Sequence, residues 1–165
     1  ICISYENTYK LPVMVINVMN AFGERQHVEK FIPLCIKRIL NKEKIFIHSY
    51  PDKKKAGSRF YIHARNIAAA VLFLLEKGVI GEKYNVVGEE EVDNLSMAKM
   101  ISEFIGEELE YEMVDFHKDR PGHDLRYSLC GEKMKDMGWS IPVPFLESLK
   151  NTVEWTVKNQ KWLEE

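Results

Sequence analysis

Apolar residues recur along this chain with two periods that take turns. Val13-Met14-Val15-Ile16-Asn17-Val18 is an almost unbroken β-rich run, the pattern of a strand buried on both faces in a parallel sheet. Before it, residues 1–9 read as the tail of an amphipathic helix that closes near Lys10-Leu11-Pro12. After it comes Asn20-Ala21-Phe22-Gly23-Glu24-Arg25-Gln26, a polar loop at the carboxyl end of the strand, which is where open α/β sheets bind ligands.

From there short strands and helices alternate. Apolar positions 31, 34, 35 and 39 give one buried face to a helix over 30–40, in which Pro33 is tolerable only in the first turn. Ile45-Phe46-Ile47-His48 predicts a short strand. Residues 49–57, with Pro51, Asp52 and three consecutive lysines, predict an exposed loop whose lysines form a solvated tip or, less commonly, a phosphate contact. Ser58–His63 reads as a strand, and Ala64–Lys77 as an Ala-rich helix stopped by Gly78, its apolar width implying deep burial. Lys83–Val87 is a further strand. Asn94 or Ser96 caps a helix with apolar positions 97, 100, 101, 104 and 105, ended by Gly106. Glu110–Val114 predicts a strand, Gly131–Met137 a short helix and Phe145–Trp162 a final helix. The sum is an α/β chain: the last piece of a doubly wound sheet, followed after residue 23 by a mixed α/β lobe.

Composition narrows the function classes. With 165 residues, 45% of them apolar, the chain fits one domain or one domain plus part of another. Lys and Arg number 23 against 25 Asp and Glu, a net charge of −2, and no basic stripe with interleaved aromatics marks a nucleic-acid partner. The longest apolar stretch, Ile67–Leu75, is too short for a membrane span, and the amino terminus lacks the features of a signal peptide, so a cytoplasmic protein is expected. The three cysteines fit a reducing compartment, with Cys2 and Cys35 in stretches that read as core. The chain opens inside a predicted helix without a methionine, as expected of the carboxy-terminal portion of a longer protein.

The candidate chemistry is recognition. No glycine-rich phosphate loop follows a strand, no nucleophile elbow is present, and the five histidines lack metal-ligand spacing, so neither a self-contained nucleotide site nor a metal site is expected in this segment. Arg120-Pro121-Gly122-His123-Asp124-Leu125-Arg126-Tyr127 instead sets two guanidiniums, an imidazole and a phenol around a Pro-Gly turn, a composition suited to gripping a bidentate anion. The ordinary alternative is a surface turn whose charges pair with Asp119 and Asp124. Asn20, Lys30, Arg59 and Asn85 each have an ordinary reading too, as turn cap, solvated charge, cross-sheet partner and strand end. Taken with Arg120 and His123, these separated cations and amides are what a diphosphate flanked by a base and a sugar requires.

A family resemblance organises these residues. Tyr9-Lys10-Leu11-Pro12-Val13, Asn17-Val18-Met19-Asn20-Ala21-Phe22-Gly23, Glu29-Lys30-Phe31-Ile32-Pro33-Leu34, Gly81-Glu82-Lys83-Tyr84-Asn85-Val86, Arg120-Pro121-Gly122-His123-Asp124, Gly138-Trp139 and Thr152-Val153-Glu154-Trp155 resemble, in order, the second half of dTDP-glucose 4,6-dehydratases. Those enzymes are extended short-chain dehydrogenase/reductases of the NAD-dependent epimerase/dehydratase family. The resemblance implies that residues 1–23 end a truncated NAD-binding Rossmann domain and that 24–165 form mainly a sugar-nucleotide-binding lobe. It implies a nucleotide-diphosphate sugar as partner, NAD held mainly by an upstream half that carries the catalytic Tyr-x-x-x-Lys pair, and a homodimeric parent. By position it assigns Asn17 and Asn20 to the cofactor side, and Asn20, Lys30, Arg59, Asn85, Arg120 and His123 to diphosphate, ribose or base. It also sets His48 where the family often has a base-side tyrosine, and Phe31 and Ile32 in the apolar wall. Two departures stand out: Glu24 replaces the family's proline, and Ala21 its second asparagine.

Overall fold

The computed structural model describes residues 1–116 and 124–164. Arg120 and His123 therefore lie outside the described residues. Helix α1 (Cys2–Tyr9) ends at Lys10 in the left-handed region (φ 55°). An extended segment then leads into β1 (Val15–Val18), which pairs in parallel with β5 (Lys83–Val86), Val15 opposite Lys83 and Val18 opposite Val86. At Met19, whose N–H donates to the Val86 carbonyl, the chain leaves that sheet and continues as β2 (Asn20–Phe22).

Strand β2 pairs in parallel with β4 (Ser58–His63), Asn20 opposite Tyr61, so the polar loop expected at 20–26 begins as a strand. Strand β4 is the hub of its sheet. Its Ser58–Phe60 stretch takes antiparallel β6 (Glu91–Asp93), while Ser58 and Arg59 also pair with β8 (Arg126–Tyr127). A separate parallel pair joins β3 (Ile45–Ser49) to β7 (Tyr111–Asp115).

The helices divide the interior into two cores. α2 (Phe31–Leu40), α4 (Asn94–Ile105) and α6 (Phe145–Lys158), with a 3-10 turn at Gln160–Leu163, enclose the larger one, built on Ile36, Ile39, Ile47, Met97, Ile101, Leu149 and Val153. The smaller one, with Ile62, Ala70, Leu74, Tyr84, Val86 and Met134, lies between β5, α3 (Ala64–Lys77) and α5 (Glu132–Asp136).

Five further expectations are corrected. The 13–18 run is not buried on both faces: β1 has one strand partner among the described residues, and Asn17 and Val18 are exposed. Helix α3 is not deeply buried, since only Asn66, Ala70 and Leu74 are covered while Leu72 and Leu75 stay 63% and 68% exposed. Cys2 is exposed on α1, a helix with no buried residue, whereas Cys35 sits fully in the core. The cap of α4 is Asp93, whose carboxylate accepts from the Leu95 and Ser96 N–H groups, because Asp93 keeps the extended backbone of β6 (φ −77°, ψ 153°) immediately before the helix. The last helix also stops at Lys158, where Asn159 leaves helical backbone before the 3-10 turn.

Candidate functional site

Strand alternation builds the main cleft. In β3, Ile45 and Ile47 point into the core, which turns Phe46 and His48 to the opposite face. In β4, Arg59 and Tyr61 share a face and point the same way. The start of β2 adds Asn20, the amino-terminal turn of α2 adds Phe31 and Ile32 with Lys30 just before it, and the start of α4 adds Asn94. Together with Gln26, Phe116, Asp124 and Leu125 these residues line a hollow of about 970 Å³.

Each polar group in the cleft is held differently. Lys30 is exposed and makes no side-chain hydrogen bond or ion pair among the described residues. Arg59 is half-buried and committed: Nη1 donates to the Ser58 and Leu125 carbonyls at 2.7 Å each, and Nη2 to the Asp124 carbonyl at 2.6 Å. Carbonyls do not neutralise a guanidinium, so its charge still acts on the cleft while its donors tie down residues 124–125. Asn20 Nδ2 reaches the Phe60 carbonyl at 3.4 Å. The Tyr61 hydroxyl donates to Asn94 Oδ1 at 3.0 Å, which leaves the Asn94 amide N–H groups to donate elsewhere. Burial pushes the Tyr61 phenol well above its ordinary range, so it remains a neutral donor. The wall is aromatic: His48 and Phe116 have ring centroids 5.0 Å apart at 57°, and Phe46 is 51% exposed beside them.

Asn17 and Asn85 are not brought to this cleft. They face each other across β1 and β5, where Asn17 Nδ2 donates to Asn85 Oδ1 at 3.0 Å and Asn85 Nδ2 to the Cys130 carbonyl at 2.9 Å. Asn85 instead borders a separate hollow with Tyr84, Cys130 and Lys133. The reason is the change of sheet at Met19: Asn17, before it, lies with Asn85 in the β1–β5 pair, whereas Asn20, after it, pairs with β4 on the cleft. Thus Asn20, Lys30, Phe31, Ile32, His48 and Arg59 meet, while Arg120 and His123 lie outside the described residues.

Sequence reasoning missed Tyr61, Asn94, Gln26, Phe46 and Phe116. Phe46 had a signal, an aromatic residue between two core isoleucines in a strand of period two. Asn94 was read only as a cap, a role that Asp93 takes.

Beside the cleft lies a charged cluster. Glu24 Oε2 is 3.1 Å from His63 Nε2, Glu24 Oε1 is bonded to the Arg65 guanidinium, and the Arg65 N–H donates to His63 Nδ1 at 3.1 Å. An Nδ1 that accepts fixes the neutral tautomer with its proton on Nε2, donating to Glu24. Burial lowers the His63 pKa, opposed in part by the Glu24 charge. Burial alone would raise Glu24, but a backbone hydrogen bond and the His63 and Arg65 charges outweigh it and hold Glu24 below its ordinary value.

Comparison with known proteins agrees with this architecture. Residues 1–87 match the model of the NAD dependent epimerase/dehydratase family. The chain is 36% identical over 160 residues to the dTDP-D-glucose 4,6-dehydratase of Mus musculus, covering 94% of this chain and 44% of that protein. The dTDP-glucose 4,6-dehydratase of Bacillus anthracis, solved in complex with NAD, superposes with a TM-score of 0.83 at 33% identity over 98% of this chain and 49% of that one. A UDP-glucose 4-epimerase of Thermotoga maritima, solved with UDP-glucose, gives a TM-score of 0.78 at 25% identity over 95% of this chain and 50% of that one. The chain spans about half the length of the relatives it matches.

Proposed function

The chain belongs to the NAD dependent epimerase/dehydratase family, and from that premise we propose that it is the substrate-binding part of an NAD-dependent nucleotide-sugar 4,6-dehydratase. One observation carries the reading: four separated elements deliver Asn20, Lys30, His48 and Arg59 to a single cleft large enough for a nucleotide sugar. In this reading Lys30 grips the diphosphate directly. Arg59 adds charge and keeps two of its five N–H donors clear of the Ser58, Asp124 and Leu125 carbonyls, Arg120 and His123 are further contacts, and the Asn94 amide donates to a base or sugar oxygen. Phe31, Ile32, Phe46, His48 and Phe116 form the wall against the base.

NAD, when bound, accepts a hydride from the sugar and later returns it. Among the described residues the fit to that cofactor is slight: Asn20 stands at the point where β1 passes into β2, while one of the two Asn17 amide N–H groups is engaged by Asn85. We therefore assign NAD binding and the catalytic groups mainly to a segment upstream of Ile1 in the parent. Residues 1–23 then close the NAD-binding domain, 24–165 form the lobe, and the 165-residue chain alone turns over no substrate.

Titration calorimetry of the chain with dTDP-glucose tests the cleft. Saturable binding is expected, and Lys30→Ala and Arg120→Ala each weaken it by about 1.5–3 kcal/mol, the range for hydrogen bonds to charged groups. Absence of heat with both dTDP- and UDP-glucose overturns the reading. Incubating the parent with NAD and dTDP-glucose distinguishes chemistries: a 4-keto-6-deoxy product supports the dehydratase, whereas a C4 epimer identifies an epimerase.

A further inference from the structure

The cleft lining includes Gln26, the last residue of a four-residue turn whose own backbone holds it only weakly. Gly23–Gln26 follows β2 directly, and the Gln26 N–H donates to the Gly23 carbonyl at a long 3.4 Å. Gln26 nonetheless has a defined place: its Nε2 donates to the Ala21 carbonyl at 2.8 Å, and both residues line the cleft. Arg25 adopts a left-handed backbone (φ 65°), unfavourable for a side chain of its size unless the surroundings hold it there.

Two contacts hold it. On one side the Glu24 carboxylate spans His63 and Arg65 at the amino-terminal end of α3, and His63 is 3% exposed and locked in orientation by the Arg65 N–H. The turn backbone lies against that imidazole, since a Cβ on Gly23 would come within 3.3 Å of His63 Nε2. On the other side the Arg25 guanidinium lies 5.8 Å from the Trp155 ring centroid and 5.6 Å from that of Trp162. Glu24 is 20% exposed and Arg65 65% exposed, so the shielded half of the clasp is the Glu24–His63 bond.

We propose that Glu24 is a positioning residue: through His63 and Arg65 it anchors the 23–26 turn to α3 and so sets where Gln26 stands in the cleft. Its functional consequence rests on the nucleotide-sugar reading; the clasp itself does not. Glu24→Ala frees the turn, and Arg25 then leaves the tryptophans. Glu24→Gln keeps an acceptor for the His63 Nε2–H and retains most of the placement.

The test uses the full chain with its native tryptophans. Trp139, packed on Phe73 with ring centroids 5.4 Å apart, provides a constant background. Expected for Glu24→Ala are the tryptophan emission shift and increased acrylamide quenching that Arg25→Ala produces directly, with affinity for thymidine diphosphate falling about tenfold. Glu24→Gln should recover at least half of each change. Unchanged fluorescence in Glu24→Ala overturns the clasp, and changed fluorescence with unchanged affinity overturns its role in the cleft. If the unsubstituted chain binds no thymidine diphosphate, the nucleotide reading fails while fluorescence still decides the clasp. If Glu24→Ala does not fold, the proposal stands or falls on the same two measurements in Glu24→Gln, which must then shift the emission in the direction of Arg25→Ala by a measurable amount no more than half as large.

Discussion

At Cys35 the thiol is fully buried in the larger core, and burial pushes its pKa up to about 12, so no thiolate forms at neutral pH. Cys2 and Cys130 are exposed. Alkylation with iodoacetamide at pH 8 should therefore label Cys2 and Cys130 in the folded chain and reach Cys35 only in denaturant, a difference that intact-mass spectrometry reads directly. The sequence marked Cys35 correctly by its place on an apolar helix stripe, yet it placed Cys2 in the core for the same reason. A stripe records which face seeks cover; it does not record whether a neighbour supplies it. Asn85 teaches a related point. An amide in a strand was legible as a polar anomaly, but its partner, Asn17, became visible only once β1 and β5 were paired in register.

Among the elements, those carried by long periodic patterns were read well. Helices over 31–40, 64–77 and 94–105 and strands at 45–49 and 58–63 lie within a residue or so of expectation. The three-residue strand β6 and the two-residue strand β8 were not, because so few positions show no periodicity and each is ordered by pairing with β4. β8 is further stapled by Arg126, whose Nε and Nη2 each donate to the Glu91 carboxylate at 2.8 Å. The Asp93 cap was hidden by the same short strand. Its carboxylate satisfies two of the otherwise unpaired N–H groups of α4 and accepts from the Ser96 hydroxyl, so Asp93→Ala should destabilise the fold by about 1 kcal/mol. Urea denaturation of that variant beside Asp93→Asn, expected to be nearly silent, checks it.

For the molecule as a whole, acid acts through groups tied to the lobe. The His63 pKa is depressed in the fold relative to 6.5, chiefly by burial, so neutral His63 contributes stability that is fully present above that pH and lost as pH falls through its folded value. The groups facing it are Glu24, Arg65 and, across the small gap beneath β4, Glu89. Glu24 is lowered from 4.5, and Glu91 is pulled to about 2 by hydrogen bonds from Arg126 and Ser58, so their contributions are present above 4.5 and fade below it. Stability measured by urea titration should then fall in two stages on acidification. His63→Asn, which keeps a side-chain acceptor for the helix cap, should flatten the stage below 6.5 and leave the lower one. The α/β class was legible in the alternation of periods, and Asn20, Lys30 and Arg59 of the cleft lining stood out as isolated polar residues of those elements. The two-core division was not, because it depends on which strands pair.

The extended stretch from Val15 to Phe22 serves two sheets in series, aligned to β5 before Met19 and to β4 after it. Each pairing alone could be displaced by one residue at the expense of turning its side chains over. Joined end to end, neither can shift unless the other does, and a joint slip would expel Met19 and Phe22, 2% and 3% exposed, from cover. The stretch thus works as a ruler clamped at both ends, and the separation between Asn17 and Asn20 is fixed by backbone pairing rather than by anything that fills the cleft.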